Sequence, residues 1–267
     1  MKREEENAES KAGAGNVIQA DKAAVKELEV NKLGFRYPNM ADDEKIFEKI
    51  SFKAQPGQMI GITGPVACGK STFGKVFLCE YPYEGSIKFD GRELSQLTDV
   101  ERAGMIGYLG HDTELFADTI KNNILLGDDS DEKELLGKVC FDGEVAAMEA
   151  GVNTMVGTGG VRLSGGQAQR LALARALMRD NSIYIFDEAT SNIDVESEDD
   201  IMAEVHNLAR TKTVILISHR LANVVKADNI YVFSDGYVAE CGKHEALLEK
   251  NGIYASLWNT CLLYTSD

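Results

Sequence analysis

Apolar residues in this chain fall into three patterns, and each predicts a different kind of element. The first is the short unbroken run: Met59-Ile60-Gly61-Ile62-Thr63, Ile183-Tyr184-Ile185-Phe186 and Thr213-Val214-Ile215-Leu216-Ile217. Runs of this length suit parallel strands covered on both faces. Met105-Ile106-Gly107-Tyr108-Leu109 is a further short run, ahead of Gly110-His111-Asp112. The second pattern is alternation, as in Leu33-Gly34-Phe35-Arg36-Tyr37, which stops at Pro38-Asn39, and in Ile50-Ser51-Phe52-Lys53-Ala54, closed by Pro56-Gly57. Ser86-Ile87-Lys88-Phe89 reads as a strand entering the Asp90-Gly91 turn, and the runs 230–233 and 237–239 flank Ser234-Asp235-Gly236 as a hairpin. The third pattern is helical. From about residue 117 to 150, Ile120, Ile124, Leu135, Leu136, Val139, Val145 and Met148 are the candidate core positions of a helical insertion with little strand signal. Ser164 opens another helix, with Leu171, Ala174, Leu177 and Met178 on one face. A helix over 72–78, one over about 195–208 and helical ends complete the chain.

Strands alternating with helices imply an α/β fold with a mainly parallel sheet. The short strand connections near the start add an antiparallel piece beside it. Residues 1 to 27, rich in Ala, Glu, Lys and Gly, read as a linker or tail, and structure is expected from Leu28 onward. Cys261-Leu262-Leu263-Tyr264-Thr265-Ser266 resembles the translation of a sequencing adapter. Residues 261–267 are therefore expected to be an artefact tail, and the natural sequence to break off near Thr260.

Composition narrows the field. With 27% charged and 44% hydrophobic residues among 267, the chain has the make-up of a globular domain. A net charge of −15 opposes general nucleic-acid binding, and no nucleic-acid partner is expected. No stretch approaches the ~18 apolar residues of a membrane span, and no apolar segment follows Met1-Lys2-Arg3 as it would in a secretory signal. The five cysteines are scattered and odd in number, which suits free thiols in a reducing compartment.

The strongest chemical signal is Gly64-Pro65-Val66-Ala67-Cys68-Gly69-Lys70-Ser71, set between a strand and a helix. This is the phosphate-cradling P-loop pattern. Gly64 and Gly69 let the backbone turn its N–H groups inward, and the helix start adds unpaired donors and a partial positive charge. Lys70 can reach phosphates, and the Ser71 hydroxyl can ligate Mg²⁺. Asp187-Glu188 ends a buried strand, at the edge where α/β sheets bind ligands. Beside a P-loop, Asp187 is placed to hold Mg²⁺ and Glu188 to act as a general base on water. A second glycine-rich helix start, Leu163-Ser164-Gly165-Gly166-Gln167, offers another nest of N–H donors. One nucleotide does not need two nests, so the second suggests another molecule's phosphate.

The order P-loop, Leu-Ser-Gly-Gly-Gln, Asp-Glu on a strand and then a lone His resembles the nucleotide-binding domain of an ATP-binding cassette (ABC) protein, over about residues 28 to 258. The resemblance implies a P-loop NTPase (RecA-like) core, an antiparallel β subdomain and a helical subdomain at about 112–165, with ATP and Mg²⁺ as cofactors. By the same resemblance Tyr37 stacks on adenine, and Lys70, Ser71 and Thr72 serve the phosphates and Mg²⁺. Ser191-Asn192-Ile193-Asp194 is similar to the loop that crosses between the halves of a dimer, with Asp194 at the nucleotide. His219 resembles the histidine that contacts the γ-phosphate. The working unit of the family is a head-to-tail pair, in which Ser164, Gly165, Gly166 and Gln167 of one chain cap the nucleotide of the other. Asp112-Thr113-Glu114-Leu115-Phe116, Thr154-Met155-Val156-Gly157 and His244-Glu245-Ala246-Leu247-Leu248 resemble the exporter type. That implies a transmembrane domain on the same or a separate chain, and a place at the cytoplasmic face of a membrane.

Two positions depart from the pattern. His111 stands where the family has a Gln that contacts Mg²⁺ and the attacking water, and Thr158 stands where exporters usually have Glu. Neutral imidazole can still donate and accept a hydrogen bond, so His111 is kept among the catalytic and metal candidates. The alternatives are a weakly hydrolysing half of a heterodimer and a non-transport ABC ATPase, with an identical or a different partner cassette left open.

Overall fold

The structure is a computed structural model, and it describes residues 26–41 and 44–264. Residues 1–25 and 265–267 lie outside the described residues, and with them most of the expected linker and the last part of the expected tail.

The chain begins with β1 (Leu28–Phe35), β2 (Phe47–Ala54) and β3 (Met59–Thr63), then turns through residues 64–69 into α1 (Lys70–Val76). β4 (Glu84–Phe89), β5 (Arg92–Glu93), α2 (Asp99–Met105) and β6 (Ile106–Leu109) follow. The middle of the chain holds β7 (Asp118–Thr119), α3 (Ile120–Leu125), α4 (Glu132–Lys138), α5 (Asp142–Ala146) and β8 (Met155–Val156). α6 (Gly165–Met178), β9 (Ile183–Asp187), α7 (Val195–Leu208), β10 (Thr213–Ile217) and α8 (Leu221–Val224) come next. β11 (Asn229–Ser234), β12 (Tyr237–Gly242), α9 (His244–Glu249) and α10 (Ile253–Tyr264) end it.

The main sheet has the order β12-β11-β3-β10-β9-β6 and is parallel except for the β11–β12 hairpin. An antiparallel sheet, β2-β1-β4-β5, lies beside it. The unbroken apolar runs have a direct cause. Ile60, Ile62, Ile183, Ile185, Ile215 and Ile217 point into one core, shared with Phe47, Phe52 and Phe73. Met59, Tyr184, Phe186, Val214 and Leu216 point into a second core, shared with α6 and α7. Each strand is sandwiched, so its positions are apolar apart from Thr63, Asp187 and Thr213 at the strand ends. Register then does the functional work. Ile217 of β10 pairs with both Ile62 of β3 and Asp187 of β9. The segments leaving these three strands, which carry Gly64, Ser218-His219 and Glu188, therefore emerge side by side.

Several expectations are adjusted. α2 was not foreseen because it buries no residue and has no apolar face. Its only sequence signal is Thr98 three residues before Glu101, which form a capping box. The helical insertion is pinned by a short antiparallel pair, Asp118↔Val156 and Thr119↔Met155, too brief to leave a periodic signal. Six of its candidate core positions are buried, and Met148 packs on the core from a partly exposed site. The first strand starts at Leu28 and ends at Phe35, so Tyr37 sits beyond it, in a loop. Glu27 is already anchored, its carbonyl accepting from Asp90 N at 3.0 Å. α10 continues through Cys261 and Leu262 to Tyr264.

Candidate functional site

Glycine is required at both ends of the 64–69 loop. Gly64 has φ +143°, and a Cβ there would fall 2.1 Å from the Phe233 carbonyl oxygen. Gly69 has φ +95° at the N-cap of α1, the left-handed region that glycine enters without steric cost. Ala67 also takes a left-handed φ, of 64°. The Lys70 ammonium folds back inside the loop and donates to Gly64 O at 2.9 Å and Pro65 O at 2.7 Å. Cys68 Sγ lies 3.7 Å from the same nitrogen, while the Val66 side chain projects into solvent. The first N–H groups of α1 have no helical acceptor, so the mouth of the loop is a ring of donors.

Asp187 closes this mouth from β9. It is 1% exposed. Ser71 Oγ donates to its Oδ1 at 3.0 Å, and Tyr108 OH donates to Oδ2 at 3.2 Å. Burial lifts the Asp187 carboxyl above the usual carboxylate range, against the pull of those two hydrogen bonds. Asp187 takes part in no ion pair among the described residues. A buried carboxylate met only by hydroxyl donors is under-compensated, and a cation would relieve it. A serine hydroxyl next to a carboxylate is the oxygen donor chemistry that suits Mg²⁺.

Glu188 follows with φ 55°, a rare conformation for a long side chain. Its backbone N–H donates to Ile217 O at 3.0 Å, and the turn swings the side chain toward the end of β10. There its carboxylate accepts from His219 N at 2.7 Å and faces His219 Nδ1 at 2.7 Å. Two such atoms at that distance share a proton, so an ionised Glu188 sets the ring with Nδ1–H toward it. Gln169, fully buried, holds this turn from behind. Its Nε2 donates to Glu188 O at 2.9 Å and its Oε1 accepts from Asn192 N at 3.0 Å.

The remaining candidates form a second group. Ser164 caps α6 in a capping box with Gln167, and Gln167 Nε2 reaches Glu144 at 2.6 Å. A Cβ on Gly166 would lie 2.7 Å from Asn192 O, so only glycine lets α6 approach that loop; Gly165 faces the Asn192 side chain at an ordinary distance. Asp194 caps α7, accepting from Ser197 N at 2.9 Å, and those hydrogen bonds hold its carboxyl below the usual range. Among the described residues, no hydrogen bond or ion pair ties Ser164 or Gln167 to residues 64–72. His111 Nδ1 lies 3.1 Å from Ser191 Oγ, and among the described residues no hydrogen bond ties it to Ser71 or Asp187. Tyr37 stands beside α1, its hydroxyl 3.5 Å from Thr72 Oγ1 in the first turn and its ring edge-on to Tyr81 at 5.8 Å.

Three groups at the site were not singled out for these roles by sequence reasoning. Gln169 was visible only as a neighbour of the glycine-rich helix start. Tyr108 lay inside an apolar run and gave no signal of a polar task. Glu198 accepts from Thr190 Oγ1 at 2.6 Å and Asn223 Nδ2 at 2.9 Å and pairs with Arg220, which ties the 188–194 turn to α7 and α8. On sequence it is one of several acidic residues on α7.

Residues 47–191 match the model of the ABC transporter family. The chain is 40% identical over 242 residues to the ABC multidrug transporter atrD of Emericella nidulans, covering 87% of this chain and 18% of that protein. It is 37% identical over 236 residues to ATP-binding cassette sub-family B member 6 of Mus musculus, covering 86% of this chain and 28% of that protein. A solved structure of a bacterial Atm1-family ABC exporter with ATP bound superposes with a TM-score of 0.83 at 32% identity, over 89% of this chain and 42% of that one. The chain thus spans less than a third of the two curated relatives it matches. With its P-loop, its Asp187-Glu188 strand end and its glycine-rich α6 start in one α/β frame, the chain belongs to the ABC transporter family.

Proposed function

We propose that this chain is the ATP-binding and ATP-hydrolysing motor of an ABC exporter, working as one half of a head-to-tail pair. The carrying observation is the convergence at three adjacent strand ends: Ser71 on Asp187, and Glu188 on His219, around the 64–69 loop. Backbone donors of residues 64–72 and the Lys70 ammonium bind the phosphates, and Tyr37 offers its ring to the adenine. Ser71 and Asp187 would hold Mg²⁺, which would supply charge neutralisation to the phosphates. Glu188 accepts a proton from the attacking water, and His219 fixes that carboxylate and faces the γ-phosphate. The α6 start, which shares no hydrogen bond with the chain's own loop among the described residues, serves the nucleotide of a second cassette. Asp194 lies at the crossing between the two. Closure of such a pair on ATP, and its opening after hydrolysis, would drive a transmembrane domain and place this chain at the cytoplasmic membrane face. The names of similar proteins, an ABC multidrug transporter and a bacterial ABC exporter with ATP bound, support that reading. The net charge of −15 speaks against nucleic acid as the partner.

The shared site has a kinetic consequence. ATP turnover per chain is expected to rise with protein concentration and to level off as pairs fill. Specific activity that is flat across a 100-fold dilution series, with the chain monomeric by light scattering throughout, would refute the paired site.

One observation favours a second reading, in which this half binds ATP but turns it over poorly. His111 is bonded to Ser191, and among the described residues it makes no hydrogen bond to Ser71 or Asp187. Gln has the reach and both hydrogen-bonding roles at that place. If His111 serves adequately, His111→Gln changes turnover by less than about threefold. A rise of tenfold or more would establish the weakly hydrolysing reading.

A further inference from the structure

Tyr108 belongs to none of the motifs, yet it touches three of the elements that build the site. It lies on β6, the edge strand beside β9, in register with Ile185. Its hydroxyl donates to Asp187 Oδ2 at 3.2 Å, while Ser71 Oγ occupies Oδ1 at 3.0 Å. Its ring is lodged between two glycines. A Cβ on Gly74 of α1 would lie 3.3 Å from the ring, and one on Gly110 would lie 3.1 Å from it and 3.2 Å from the hydroxyl. Gly110 is the residue immediately before His111.

An Asp carboxylate held at one oxygen can still rotate, because its terminal torsion is broad. Held at both oxygens by donors on different elements, it has one plane. We propose that Tyr108 is a positioning residue that sets the Asp187 carboxylate for Mg²⁺, acting as a strut between α1, β9 and the turn that carries His111. The proposal rests on Asp187 being a Mg²⁺ ligand. A shift of the Gly110-His111 turn presses on the ring and is felt at Asp187, with no direct contact between His111 and the carboxylate. Partners that orient a metal ligand are commonly worth about 10–100-fold in metal affinity.

The test is ATP binding by the full chain, measured by equilibrium dialysis during a Mg²⁺ titration that starts from EDTA. Tyr108→Phe keeps the ring and removes the hydroxyl. It is expected to raise the half-saturating Mg²⁺ concentration about tenfold, with ATP affinity in EDTA and the melting temperature unchanged. A merely structural tyrosine would move all three together. Gly110→Ala, which pushes a methyl onto the ring, is expected to shift the same half-saturation upward by a smaller factor. A wild-type Mg²⁺ titration for either variant overturns the strut, as does a parallel loss of affinity in EDTA. Asp187→Asn separates the two ways of failing. If it loses the Mg²⁺ dependence while Tyr108→Phe keeps it, only the role of Tyr108 is wrong. If it keeps the dependence, the Mg²⁺ reading of Asp187 fails and the strut with it.

Discussion

Glu188→Gln is expected to cut steady-state ATP turnover by at least about 100-fold, the scale of a lost general base, while Mg-ATP binding survives. The geometry explains the split. Among the described residues Glu188 makes no hydrogen bond or ion pair with Lys70 or Ser71; its carboxylate is engaged by the backbone N–H and the ring of His219. Glutamine keeps the volume and can still accept from His219 N. It cannot take a proton from water. The nucleotide cradle of residues 64–72 is untouched, so on the proposed paired site ATP is still expected to close the pair and the closed state to accumulate. Two measurements check this: turnover by phosphate release, and the ATP-dependent dimer fraction by analytical ultracentrifugation. Turnover at the wild-type rate would remove Glu188 as the base. Normal loss of turnover without a stabilised dimer would remove the clamp.

Lys70→Ala is expected to weaken ATP binding by at least about 100-fold. A hydrogen bond to a charged group is worth about 1.5–3 kcal/mol, and each 1.4 kcal/mol is about tenfold in affinity. The side chain has a second job that enlarges the effect. Its ammonium donates to Gly64 O and Pro65 O, so it also braces the loop from inside. Three donors on one nitrogen allow it to keep part of that brace and still reach a phosphate. Alanine loses the charge and the brace together. Fluorescent-nucleotide titration checks it, and an unchanged affinity would end the assignment of the 64–71 loop as the phosphate site.

Most of the candidate site was legible because its chemistry is local. The P-loop depends on glycines at fixed offsets and on a helix that starts at once, and these are visible in eight consecutive residues. The capping box at Ser164 and Gln167 spans four. Asp187 and Glu188 were legible because a sandwiched strand makes a run of apolar residues, and the first carboxylates after it must lie at its end. α2 and the β7–β8 pair were not legible. One buries nothing, and the other is too short to carry a period.

Sequence by itself located most of the strands and helices, the two glycine-rich helix starts, and Lys70, Ser71, Asp187 and Glu188 as candidates. Each follows from short-range sterics or from periodicity along one segment. Only the tertiary structure decided which groups meet. The register of β3, β10 and β9 sets Ser71 on Asp187, and the left-handed turn at Glu188 sets that carboxylate on His219. It also turned His111 toward Ser191 and placed Tyr108 on the second oxygen of Asp187. Those contacts join residues 31 to 116 positions apart. Packing across the sheet fixes such distances, and no pattern along the chain encodes them.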